Sequence, residues 1–373
     1  MKHTSVMALA AVAVGAAAAL AQTPARELLA RGQTLWEQRL AKSATAALEA
    51  ATKDPATSSE AHEALGRMYT FRGWQADNVY PGWHDEPSLR EKALAELRAA
   101  VAADPNRASA REALRVAEGF AAADSVDPAP PRPEVRALDA KLQAASTVDE
   151  IVAAVDARAQ AQADPAPYFT GAQMLIDRGA YPQAIAMAGR GAAASDRFID
   201  ENLSAYQLTG KWEGSFARGR ATAADLVGWA LFVQKDYGRA REKLEEAARL
   251  SQDQDLANQF HLGELARSQN EARGARDHYL TALSLQGGPP PLRQRVTQAL
   301  ASLVGSDPAV SGGFDTWLEA ELSRRRAERK ASALTTLVDR PLPKLPLTTV
   351  DGRPYDTSGL RGKVLLLNFF ASW

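Results

Sequence analysis

The sequence predicts a mainly all-α chain of stacked helical hairpins, followed by a short α/β segment at its C-terminus. Three observations carry this expectation. Alanine is heavily used, while Ile, Thr and the aromatic residues (7% of the chain) are sparse, which favours helix over sheet. Two stretches repeat each other at a constant offset of 35 residues, the mark of stacked supersecondary units. From Pro341 the grammar changes to prolines, an Asp-Gly turn and a seven-residue apolar run.

The elements follow in order. Met1-Lys2-His3 is a short basic start, Val6 to Leu20 is an Ala/Val-rich apolar run, and Ala19-Leu20-Ala21 fits the small-x-small cleavage rule. Residues 1–21 are therefore expected to be a secretory signal peptide, too short for a membrane span and followed by no stop-transfer charges. This predicts an exported protein of the periplasm or another extracytoplasmic compartment, without a stable membrane span after cleavage. A first helical pair is expected from Ala25 to Thr52, ending at Asp54-Pro55. Next, Leu65-Gly66-x-x-Tyr69 pairs with Ala93, Leu97, Ala100 and Pro105, and Asp104-Pro105-Asn106 closes that unit. Between the two halves lies an aromatic insert, residues 71–89, read as a loop that contains Phe71, Trp74, Tyr80, Trp83 and His84. Such a cluster either holds a peptide or small ligand or caps the end of the array. His84-Asp85-Glu86 are adjacent in sequence and do not converge on a metal, so no metal site is assigned.

Residues 124–134, with Asp127-Pro128-Ala129-Pro130-Pro131-Arg132-Pro133, read as a semi-rigid linker. Repeats are then expected over 135–305. Ala172-x-x-Leu175 with Tyr181, Ala184, Ala188 and Gly191 forms one unit. The two best units align Val227-Gly228-x-x-Leu231 with Leu262-Gly263-x-x-Ala266, and Ala240, Leu244, Ala247, Leu250 with Ala275, Tyr279, Ala282, Leu285. The small residues have a packing role: a side chain at Gly66, Gly228 or Gly263 would hold the two helices of a hairpin apart, and Ala240, Ala247, Ala275 and Ala282 thin the second helix for the same reason. One hairpin cannot bury its own face, so the units must stack. The pattern resembles the tetratricopeptide repeat, with interruptions, over roughly 25–285. That resemblance implies a superhelix whose groove takes protein or peptide clients.

Gly287-Gly288-Pro289-Pro290-Pro291 ends the last clear repeat, and a final helix pair is expected from Leu292 to Val304 and from Phe314 to about Leu337. The segment 306–340 thus comprises a helix and a linker. Its Arg324 to Lys330 cluster is interleaved with Glu319, Glu321 and Glu328 at helical spacing, which reads as a solvated face.

Residues 341–373 form the last region. Leu347 to Val350 and Arg353 to Asp356 flank Asp351-Gly352, a hairpin signal. Val364 to Phe370 reads as a strand buried on both faces. The order of an extended Pro-containing entry, this hairpin, Leu360-Arg361-Gly362-Lys363 and then Asn368-Phe369-Phe370-Ala371-Ser372-Trp373 resembles the start of the TlpA-like thiol–disulfide reductases, which have a thioredoxin fold. In that family a Cys-x-x-Cys pair follows at once, with the nucleophile at a helix N-terminus that lowers its pKa. The resemblance places Trp373, with Phe370, at the rim of the active site. Phe370 stands where family members usually carry Trp. The expectation is a thioredoxin-like domain truncated before its cysteines, hence a chain without catalytic residues of its own. Residues 341–373 alone are expected to pack loosely, because a central strand needs its neighbours.

Composition narrows the alternatives. There is no cysteine, which excludes disulfides, Cys-ligated zinc and thiol catalysis within this chain. A formal net charge of −1 gives no bulk electrostatic case for nucleic-acid binding. No nucleotide or dinucleotide fingerprint stands out, and no cofactor is expected. Two functions remain: the scaffold of an exported thiol–disulfide oxidoreductase, or an envelope repeat protein that only binds partners.

Overall fold

The computed structural model describes residues 24–79, 87–119, 133–202, 212–285, 287–305, 310, 312–335, 347–348 and 353–355. Among them the protein is all-helical apart from one two-residue strand pair. Two compact units divide at Ser311 and Gly312.

In the first unit, a first array comprises α1 (Ala25–Glu37), α2 (Ala41–Ala51), α3 (Ser58–Val79), α4 (Pro87–Ala103) and α5 (Ala108–Gly119). A second array comprises α6 (Pro133–Ala144), α7 (Val148–Ala161), α8 (Ala166–Asp177), α9 (Tyr181–Glu201), α10 (Trp212–Val233), α11 (Tyr237–Ser251), α12 (Leu256–Ser268), α13 (Ala272–Ser284) and α14 (Pro290–Val304). Antiparallel hairpins α1–α2, α3–α4, α8–α9, α10–α11 and α12–α13 form the body.

Four of these hairpins share one turn. The backbone N–H of Leu40, Ala180, Asp236 and Glu271 donates to the carbonyl of Leu35, Leu175, Leu231 and Ala266, five residues back, at 2.9 to 3.0 Å. This is the bond that closes a helix with a left-handed residue. That residue is Arg39, Gly179, Lys235 or Asn270, with φ between 62° and 73°. Helix starts are also specified locally. Asp236 and Asp255 cap α11 and α12 through Arg239 N and Asn258 N, and Thr147 with Glu150 forms a capping box on α7. Three hydrogen bonds from Ser146 and Thr147 pull the Glu150 carboxyl down to about 2.

Close approach of the paired helices rests on glycine. A Cβ on Gly228 would lie 2.7 Å from Leu244 Cγ, and one on Gly66 would lie 2.7 Å from Leu97 Cδ2. Gly263 meets the ring of Tyr279 in the same way, and Gly32 meets Leu48. In three of these pairs the partner is sixteen residues downstream, whereas Gly66 and Leu97 are thirty-one apart. The fifteen extra residues lie beyond the contact and leave it intact. Ala240, Ala247, Ala275 and Ala282 are buried along α11 and α13, and Leu244 and Tyr279 are fully buried between hairpins. At Gly171 the neighbour is instead Val155 of the preceding helix α7.

The first array meets the second through the α1–α2 turn. Gln38 Nε2 donates to the Gln160 carbonyl at 3.0 Å, and Ala163 N donates to the Gln38 carbonyl at 2.9 Å. Ser43 N and Oγ donate to the Glu201 carboxylate at 2.8 and 2.6 Å, and Asn202 Nδ2 donates to the Arg39 carbonyl at 2.9 Å.

The second unit contains α15 (Phe314–Thr335) and the strands β1 (Leu347–Thr348) and β2 (Pro354–Tyr355). The strands pair antiparallel, Leu347 opposite Tyr355 and Thr348 opposite Pro354, and the expected turn residues Asp351 and Gly352 lie outside the described residues. Arg324 donates to Glu321 and Glu328 at 2.7 and 2.5 Å along the exposed face of α15.

Three expectations need correction. The aromatic insert is not a loop throughout: residues 71–79 continue α3, and Pro87 to Leu89 open α4. No proline interrupts Phe71 to Val79, and proline is suited to a first turn. The linker is shorter than 124–134, because Pro133 and Glu134 already belong to α6. By the same rule Pro290 and Pro291 start α14 instead of preceding it. Residues 1–21, Tyr80, Trp83, His84, 124–132, Phe370 and Trp373 lie outside the described residues.

Candidate functional site

A cavity of about 620 Å³ opens along the second array. Its walls are the first helices of three successive hairpins, and α14 closes it. The helices contribute in four-residue steps: Gln173 and Asp177 from α8, Trp229 and Val233 from α10, Ala257 and His261 from α12, Pro291 and Arg295 from α14. A step of four keeps two side chains on one helix face, so each helix presents one stripe to the cavity. Ile176, Tyr181 and Leu292 complete the apolar part of the wall. Val233 is 39% exposed, unusual for a large apolar side chain here.

The chemical centre is a buried polar pair behind the wall. His261 Nδ1 lies 3.0 Å from both carboxylate oxygens of Asp225. Asn258 Nδ2 donates to Asp225 at 3.0 Å and to the Leu244 carbonyl at 3.0 Å. All three residues are buried. With Asp225 accepting, Nδ1 carries an imidazole proton. The ring is held in plane by Trp229, stacked at 4.2 Å. Trp229 in turn stacks on Phe232 at 4.9 Å, and Phe260 lies 6.4 Å from Trp229 and 5.8 Å from His261. Arg295 lies over the Phe260 ring at 5.0 Å. Aromatic packing, a fixed imidazole and a guanidinium therefore share one wall.

No protein-family model matches the chain, and no curated protein matches it. The groove must be judged on its own residues. It offers donors at Arg295 and Gln173, an acceptor at Asp177, the imidazole of His261, and apolar surface between them. That mixture orients a ligand without supplying a nucleophile. Among the described residues no three His, Asp or Glu side chains converge as a metal site, and no helix is long and apolar enough to cross a membrane.

A second cavity of about 300 Å³ is bordered by α11 and α13, with Arg241, Glu245, Arg249, Asp253, Glu271 and His278 around it. Its charges are partly spent on each other, since Arg241 donates to Glu271 at 2.8 Å. His278 is bonded to Gln259 at 2.9 Å, and burial holds its imidazole below the ordinary value. Burial, reinforced by Glu264, pushes the Tyr279 hydroxyl upward. Tyr279 donates to that carboxylate at 2.5 Å.

The residues singled out from sequence are distributed differently. Gly228 and Gly263 lie on the groove helices but face the hairpin partners, as described above. Gly66, Phe71 and Trp74 are in α3 of the first array, away from this cavity. Asp225, Trp229, His261 and Arg295 were not recognised as a group. The signal was present: Asp225 and His261 are thirty-six residues apart, one repeat plus one residue, on equivalent helices.

Proposed function

We propose that the chain is the client-holding scaffold of an exported thiol–disulfide oxidoreductase of the TlpA-like kind. In this reading the hairpins are tetratricopeptide-like, and residues from 341 onward begin the thioredoxin-like domain. The groove that spans three hairpins supports the binding half of this reading, because its four helices each present a matched stripe to one cavity. The Asp-Gly hairpin at 347–355 and the terminal Asn-Phe-Phe-Ala-Ser-Trp support the redox half. A client held in the groove would meet the thiol chemistry of that domain through a mixed disulfide.

Without cysteine, this chain has no thiol to attack a disulfide. Insulin reduction by the purified chain should stay at background. The decisive experiment is thiol alkylation and intact mass of the native protein from the extracytoplasmic fraction of its host. Two alkylatable thiols in a protein larger by about one domain support the oxidoreductase. A cysteine-free protein leaves the second reading, an envelope repeat protein that only binds. One observation favours that second reading: every residue of the groove lies between Gln173 and Arg295, so binding requires nothing from residue 341 on.

A further inference from the structure

We infer that the groove takes an extended peptide segment bearing an acidic side chain, with Arg295 gripping the carboxylate and Trp229 and Val233 receiving the apolar residue beside it. This rests on the reading of the groove as a peptide-binding face.

The charged groups of the groove are unequally satisfied. Asp177 already accepts from Gln173 Nε2 at 2.9 Å. His261 is committed to Asp225 through Nδ1. Arg295 forms neither an ion pair nor a hydrogen bond among the described residues, and its one recorded contact is the ring of Phe260. Several other arginines are instead engaged. Arg293, two residues earlier on α14, donates to the carbonyls of Leu283, Leu285 and Gly287 at 2.7 to 2.9 Å. Arg239 and Arg267 are paired with Asp236 and Glu264. Arg295 is therefore left over at the cavity, not consumed by the fold.

The guanidinium carbon lies 5.0 Å over the Phe260 ring, a cation–π contact that uses the face of the guanidinium and none of its N–H donors. A planar fork of donors matches a carboxylate with two parallel hydrogen bonds. The remaining groups fit a main chain: Gln173 and Asp177 on α8 supply a donor and an acceptor, and His261 on α12 lines the same cavity. A volume of about 620 Å³ accommodates several residues of an extended strand.

The test uses the full chain and an array of random heptapeptides, acetylated and amidated so that only side chains carry charge. Capture should favour Asp or Glu next to Leu, Phe or Trp. For a captured peptide, fluorescence anisotropy should show Arg295→Gln weakening binding about tenfold or more, as expected for a lost charge-assisted bond. Glu→Gln in the peptide should cost the same, and the two losses should not add. Arg295 is exposed, so the variant should melt with the parent protein, and Arg295→Lys should recover part of the affinity. Peptides lost on Val233→Gln but indifferent to Arg295→Gln would overturn this inference while leaving the groove as a binding face. No capture, capture indifferent to Val233→Gln, or capture only of peptides lacking Asp and Glu would overturn it as well. The first two of these would remove the groove reading too.

Discussion

The two arrays of the first unit solve the same packing problem and differ in what they do with it. In both, a glycine on the first helix of a hairpin receives a leucine or tyrosine from the second: Gly32–Leu48 and Gly66–Leu97 in the first array, Gly228–Leu244 and Gly263–Tyr279 in the second. Only the second array sets a buried Asp225–His261–Asn258 network and an aromatic wall behind the exposed face of its first helices. The first array invests its polar groups elsewhere: Glu63 accepts from Arg67, Arg107 and Ser109, which ties α3 to the start of α5. Among the described residues, packing thus recurs where this polar and aromatic network does not.

The largest effects should fall on what the arrays share. Leu244→Ala and Leu97→Ala each remove a fully buried side chain wedged on glycine, and each should cost about 2–5 kcal/mol in urea unfolding. Near-equal losses would make the wedges equivalent. A loss confined to Leu244 would show that the fifteen added residues relieve the first-array contact. In the double variants Gly228→Ala/Leu244→Ala and Gly66→Ala/Leu97→Ala, the glycine substitution should recover part of that loss, because its Cβ then fills space the leucine has left.

Next comes what they do not share. Asp225→Ala strands His261 Nδ1 and leaves Asn258 Nδ2 with the Leu244 carbonyl alone, and should cost roughly 1–3 kcal/mol. Circular dichroism should retain the helix signal while Trp229 fluorescence changes as its stacked imidazole loosens. Unchanged stability would mean that the network is incidental to the fold.

Acid should separate the arrays by pH. His278 in the second array is held by burial below its ordinary value of 6.5. The unfolded chain therefore binds the extra proton first, and stability is lost as pH falls below about 6.5 toward the folded value. Burial alone would raise the Glu63 carboxyl in the first array, but hydrogen bonds from Arg107, Ser109 and Arg67 outweigh it and hold it below 4.5. Its contribution is present above that pH and is lost only as pH falls through the lower, folded value. Hydrogen exchange by mass spectrometry should show the α12–α13 region loosening at a higher pH than α3, and His278→Gln should abolish the difference. Simultaneous loosening would break the comparison.

The smallest effect concerns the turns. Lys235 and Asn270 hold the left-handed position that glycine fills at Gly179. Lys235→Gly should stabilise by no more than about 1 kcal/mol, seen as a small rise in melting temperature.

Much of the packing was legible because it is periodic. Val227-Gly228 and Leu262-Gly263 announced α10 and α12, and Asp54-Pro55 and Asp104-Pro105 announced the breaks after α2 and α4. The continuation of α3 through Phe71 and Trp74 was not, since aromatic and glycine-bearing sequence suits helix and loop alike. Helices α6 and α7 carry no glycine wedge of their own and left no repeat signature. The groove was less legible still. A four-residue step on one helix is ordinary; it becomes informative only when three helices and α14 are known to face one cavity. Asp225 and Arg295 acquire meaning through neighbours more than thirty residues away, which no local pattern encodes.

The Gly66–Leu97 contact has a further consequence for how such a chain can change. A wedge of one glycine and one leucine pins the register of two helices at a single level. Sequence added above that level lengthens the hairpin tip without shifting anything below it. The fifteen-residue difference between this hairpin and its relatives has the form of a graft. The hairpin tips are accordingly the places where new segments, tags or recognition loops can be spliced into this protein while the stack beneath keeps its geometry.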